Sequence, residues 1–282
     1  MSSSGKMQGP RCGTTAAVFA ALWVLFAGPA EAADSELYTF HCLWGCPVGA
    51  PATNDTIVRE IYTLSSNDLT KMADWVAYRV TPQTIATSQG TRNYRIDAWI
   101  DPSETISEEQ YAGAPAALRI DHGHQAPLAA FSGTPFWDDT NYNSNMTPQA
   151  SALNQGPWQR LEGRERSVTL GTGGPVYVYT GPLYERLMQA MPAGPAYHRV
   201  PSGYWKVIAL PDGRMTAFIM DQNTPRNANP CNYRVALIQV ELRSRLFLFP
   251  RRGAVQLGSL DSMLGCTSPP PEPEPPAVIR TN

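Results

Sequence analysis

Short runs of β-branched and aromatic residues recur along this chain without the regular strand–helix alternation that a parallel sheet requires. They fall at residues 57–64, 75–80, 176–180, 205–210, 216–220 and 247–249, with further strand candidates at 95–100 and 117–120. Helices are predicted at 157–168 and 235–243. Strands and helices mixed in this way read as an α+β domain with a largely antiparallel central sheet flanked by helices. No internal repeat interrupts the pattern.

The ends are different in kind. Lys6 and Arg11 precede an apolar run at 16–30, and Ala30-Glu31-Ala32 has the small-x-small form of a cleavage site. Residues 1–32 therefore read as a signal peptide, which directs the chain to the periplasm or the medium. A membrane anchor would need a longer run, about 20 apolar residues. The domain is expected at 33–268. Residues 269–282 are dominated by proline and glutamate, favour an extended polyproline conformation, and read as a flexible tail. Removing Lys6, Arg11 and Glu31 takes 22 basic and 24 acidic residues to 20 and 23, so the net charge moves from −2 to −3. Such a chain cannot attract nucleic acid by its overall field and would need basic residues gathered locally.

Cys12 leaves with the signal peptide, and Cys42, Cys46, Cys231 and Cys266 remain. An even count in an exported chain reads as disulfides, and spacing alone permits three pairings. Cys42–Cys46 with Cys231–Cys266 is favoured, because each pair is close in sequence and sits at one end of the domain. The longer bridge would contribute about 3–4 kcal/mol by restricting the unfolded chain. A zinc site on Cys42 and Cys46 lacks a matching Cys/His pair at zinc spacing.

The chemistry concentrates between Ile120 and Arg166. His124 follows Gly123 at the end of an expected strand, and an imidazole of ordinary pKa, about 6.5, can take a proton from water. Asn154 offers a hard carbonyl oxygen suited to Mg²⁺, just before a helix whose first turn accepts Pro157. Glu162 can assist the ion through water, and Arg166, four residues later on the same face, can pair with Glu162 or reach a phosphate oxygen. Asn141, Asn145 and Gln149 supply amides. A base, a cation ligand and an arginine are the parts that phosphodiester hydrolysis requires.

In their order, Asp121-His122-Gly123-His124-Gln125-Ala126-Pro127, Thr140-Asn141-Tyr142 through Gln149, and Leu153-Asn154-Gln155-Gly156 through Glu162 resemble the DNA/RNA non-specific endonucleases. These are the ββα-metal nucleases, and the likeness is greatest to their secreted Serratia-type branch. It runs from Cys42 to Cys266 and includes the cysteine arrangement. The resemblance implies a disulfide-stapled ββα-metal fold with His124 as general base and Asn154 as the direct Mg²⁺ ligand, Mn²⁺ serving as a substitute. It implies Glu162 acting through water, Arg166 and Arg92 stabilising phosphate, and Asn141, Asn145 and Gln149 supporting the site. DNA and RNA would be cleaved with low sequence selectivity to 5′-phosphorylated products, by a chain able to form a homodimer. One position departs: His122 stands where the family carries arginine, and a histidine cannot reproduce a permanently charged, bidentate guanidinium. Slower turnover with an acid-shifted optimum is expected from it. The rival reading is a nucleic-acid-binding homologue that kept the fold and lost turnover.

Overall fold

The computed structural model describes residues 1–2, 37–85, 91–195, 198–255 and 257–267. The expected signal peptide, apart from its first two residues, and the expected tail lie outside the described residues. The elements below all belong to one unit, Glu36–Asn282. In chain order they are β1 (Asp55–Val58), β2 (Tyr62–Asn67), β3 (Met72–Val80), α1 (Ala114–Leu118), β4 (Ile120–His124), β5 (Met146–Ala150), α2 (Ser151–Leu153), α3 (Gln159–Thr172), β6 (Val176–Leu183), β7 (Gly203–Ala209), β8 (Arg214–Asp221), β9 (Arg234–Val235), α4 (Leu237–Ser244) and β10 (Gly258–Ser259).

The large sheet runs β1-β2-β3-β6-β7-β8-β10, with β9 also pairing with β8. Every pairing is antiparallel except β10 with β8. Strict alternation divides its side chains between two cores. Val176, Val178, Tyr204, Ile208, Phe218 and Met220 pack on one face, against Leu153, Trp158, Leu161 and Val168. Tyr179, Trp205, Val207, Ala217 and Ile219 pack on the other, against Val240 of α4, Leu248, Phe249 and the loop closed by Cys42–Cys46. Burial on both faces explains why β6, β7 and β8 are largely apolar instead of alternating strictly with polar residues. Both disulfides form as spacing favoured, Cys42–Cys46 and Cys231–Cys266.

Several sequence expectations change. The run at 57–64 is two strands joined by a turn, in which the Arg59 N–H donates to the Tyr62 carbonyl at 2.9 Å. The Arg59 side chain is drawn inward to the buried Asp97, so the chain reverses without glycine or proline. Residues 117–120 do not form a strand. Pro115 in the first turn favours a helix, α1, which ends at Arg119 (φ 55°) before β4 begins. The runs at 95–100 and 247–249 contribute single bridges, Arg95 to Tyr142 and Phe247 to Val48. The helix expected at 157–168 starts later and extends to Thr172, after a wide turn over Asn154–Trp158. Arg234 and Val235 join the sheet, so the second predicted helix begins at Leu237. β5 was not anticipated, because Pro148 argues against a strand; a two-stranded sheet consists of edges, where proline is tolerated.

One polar group lies inside the first core. Lys206 of β7 and Glu165 of α3 are 0% exposed. The ammonium donates to Glu165 Oε1 at 2.7 Å and to the Tyr78 hydroxyl at 3.1 Å, and that hydroxyl donates to Glu165 Oε2 at 2.9 Å. The Lys206 charge also sits 4.8 Å from the Trp158 ring centroid. These contacts tie α3 to the sheet.

Candidate active site

The second, two-stranded sheet carries the histidine motif. β4 pairs with β5 in antiparallel register, Asp121 opposite Gln149 and His124 opposite Met146, and the chain then passes through α2 into α3. Gly123 makes this packing feasible, since a Cβ there would lie 2.6 Å from both Cβ and Oε1 of Gln149. Gly123→Ala is accordingly expected to cost about 1–3 kcal/mol by overpacking and to lower turnover by displacing His124. Thermal unfolding and kcat measured together check this.

Asp121 organises the opposite wall. Its carboxylate accepts from Ser151 Oγ at 2.5 Å, Asn154 Nδ2 at 2.9 Å and Gln155 Nε2 at 2.8 Å. With its amide nitrogen engaged, Asn154 keeps Oδ1 for another ligand. Asp121 belongs to the histidine motif but was assigned no role from sequence. Its short spacing to His124 on one strand was the available signal.

His124, His122, Asn154, Glu162, Arg166 and Arg92 line one cleft of about 680 Å³. His124 Nε2 and Arg166 Nη1 are buried there without a hydrogen-bond partner among the described residues, which buried polar atoms rarely tolerate unless a ligand satisfies them. Burial, reinforced by the Arg92 charge, lowers the His124 pKa to about 3, well below the ordinary value used above. The imidazole is therefore neutral at physiological pH. Burial raises the Glu162 carboxyl to about 7, with the Lys206 charge opposing the shift. Glu162 and Arg166 form no ion pair within 4.0 Å among the described residues, leaving the guanidinium for a phosphate.

His122 is held between the Tyr94 and Tyr111 rings, at centroid distances of 4.3 and 3.8 Å, and its Nε2 lies 3.0 Å from Glu108. Burial outweighs Glu108 and lowers its pKa. A charged His122 would thus require a lower pH than a free imidazole does.

The three supporting amides do not line the cleft. Asn145 clamps the loop after His124: it accepts from the Ala126 N–H at 2.8 Å and donates to the Ala126 and Thr140 carbonyls. Asn141 donates to Asp138 at 2.8 Å and its side chain approaches the His124 ring. Gln149 is buried beneath Gly123. The oxygen donors facing the cleft, among them the Asn154 amide and the Glu162 carboxylate, suit a hard divalent cation that keeps most of its water.

Residues 46–250 match the DNA/RNA non-specific endonuclease family. The chain belongs to that family. This nuclease is 44% identical over 231 residues to the Nuclease of Serratia marcescens, covering 80% of this chain and 86% of that one. It is 30% identical over 236 residues to Nuclease C1 of Cunninghamella echinulata var. echinulata, covering 77% and 92%. A chain in the crystal structure of the EndoG/EndoGI complex superimposes with a TM-score of 0.64 at 24% identity, covering 74% of the nuclease and 91% of that chain. This last likeness establishes the shared fold.

Proposed function

We propose that this endonuclease hydrolyses phosphodiester bonds of DNA and RNA with His124 as general base and a divalent cation, Mg²⁺ or in substitution Mn²⁺, held by Asn154. The observation that supports the reading is the shared cleft, in which an unpartnered imidazole nitrogen faces the same space as the cation donors and an unpartnered guanidinium. Bound there, a divalent cation supplies positive charge to the oxygens on which negative charge develops. His124 Nε2 takes the proton as water attacks phosphorus, and the bond to the 3′ oxygen breaks; that oxygen gains a proton from water, leaving a 3′ hydroxyl and a 5′ phosphate. Phosphate anions entering the cleft raise the imidazole pKa towards the useful range. Arg166 and Arg92 hold phosphate oxygens, and Asp121 fixes the Asn154 amide. Contacts to phosphate carry no base information, so sequence selectivity is low.

We further infer that the chain is exported through a signal peptide at 1–32, that its domain spans 33–268, and that it can pair with a second copy. Among the described residues no helix is long and apolar enough to cross a membrane.

Incubating the purified nuclease with supercoiled plasmid and with RNA, with and without a chelator, tests the reading. Cleavage of both that the chelator abolishes is expected. Nucleic-acid binding without cleavage would favour the weakened homologue, for which His122 in place of the family's arginine, its charge disfavoured by burial, is the specific support.

The pH profile follows from Glu162. Its carboxylate is the competent form, so cleavage is expected to fall as pH drops through about 7. Cation binding favours the carboxylate, so this acid limb should move to lower pH as the Mg²⁺ concentration rises. A limb indifferent to Mg²⁺ would remove Glu162 from the role.

A further inference from the structure

One exposed cation in the cleft has no place in the chemistry above. Arg226 lines the cleft beside Asn154 and Gln155, yet it belongs to the loop after β8, far from them in sequence. Among the described residues no carboxylate lies within salt-bridge distance of its guanidinium. The backbone that carries it is firmly held. A Cβ on Gly156 would lie 2.6 Å from the Arg226 carbonyl oxygen and 2.8 Å from its Cα, so this glycine allows the loop to rest directly on the turn containing Asn154. Arg160 of α3 donates to the carbonyls of Arg226 and Ala228 at 2.8 and 2.7 Å. Asp221 receives the Asn223 N–H at 2.7 Å and pairs with Arg186. An unpaired guanidinium on a backbone packed against Gly156, which lies two residues along the chain from Asn154, differs from a freely solvated surface arginine. Its backbone ordering is complete before any ligand arrives.

We infer that Arg226 forms a subsite for a backbone phosphate neighbouring the scissile one, so that it recognises polymeric nucleic acid and takes no part in bond cleavage. This rests on the proposed nuclease reading and deepens it. A permanently charged fork suits a phosphate diester of either sugar and reads no base.

Steady-state cleavage by wild type, Arg226→Ala and Arg226→Lys tests the inference, using a short DNA duplex and a small chromogenic ester with a single phosphodiester. Salt titration of duplex binding in the His124→Ala background accompanies it. Arg226→Ala should raise KM on the duplex roughly two- to fivefold, leave kcat and small-ester cleavage unchanged, and be partly rescued by lysine. The slope of log affinity against log salt should fall by about 0.9. An unchanged KM and slope would overturn the subsite, and so would an equal loss on both substrates, which would mark a structural loop residue. Failure of the wild type itself to cleave would count against the nuclease reading instead.

Discussion

His124→Ala is expected to lower kcat by about 10²–10⁴-fold, the range a positioned general base contributes, while duplex affinity stays near that of wild type. The separation follows from the site. His124 presents a neutral, unpartnered nitrogen to the cleft and carries no charge that would attract a polyanion at physiological pH. The groups proposed to hold substrate are the guanidiniums of Arg166 and Arg92, which line the cleft from other elements. Alanine removes the side-chain contact with Asn141, but β4 stays held by its register with β5 and by Asp121. Single-turnover rates and equilibrium binding in chelator, measured on the same preparation, distinguish the two quantities. Turnover within tenfold of wild type would exclude His124 as the base.

The second large effect is on stability. Lys206→Met should destabilise the fold by about 3–5 kcal/mol, because it strands the Glu165 carboxylate in an apolar core. Replacing both partners, as Lys206→Met with Glu165→Leu, should recover most of the loss, since the cost lies in the unpaired charge and not in the missing pair. Urea denaturation midpoints of the single and double variants make the comparison. Lys206 also opposes the burial that raises the Glu162 pKa. Its removal should therefore push that pKa higher still and move the acid limb of cleavage to higher pH. A double variant as unstable as the single one would contradict this account of the core.

The strands of the large sheet were legible because burial on both faces selects continuous runs such as Trp205-Lys206-Val207-Ile208. The cysteine pairing that forms is the one favoured among the three that spacing permits, and the residues of the cleft were legible from their chemistry and, for Arg92, from the family resemblance alone. What escaped were features set by contacts distant in sequence. Nothing local marks the reversal at Arg59, which depends on Asp97. Ala117 and Leu118 suit strand or helix, and the turn at Arg119 decides between them. Lys206 stands at an inward-facing position between Tyr204 and Ile208, a signal that period-two reading could have caught. Arg226 gave no such sign, because only the packing of its loop on Gly156 brings it to Asn154.

The division of labour between His124 and Asn154 is tested most directly by the Mg²⁺ concentration that gives half-maximal cleavage, measured for wild type, Asn154→Ala and His124→Ala. Asn154→Ala should require much more Mg²⁺, whereas His124→Ala should retain the wild-type requirement at a far lower maximal rate. An Asn154→Ala variant with an unchanged Mg²⁺ requirement would contradict the assignment of the cation to that side chain.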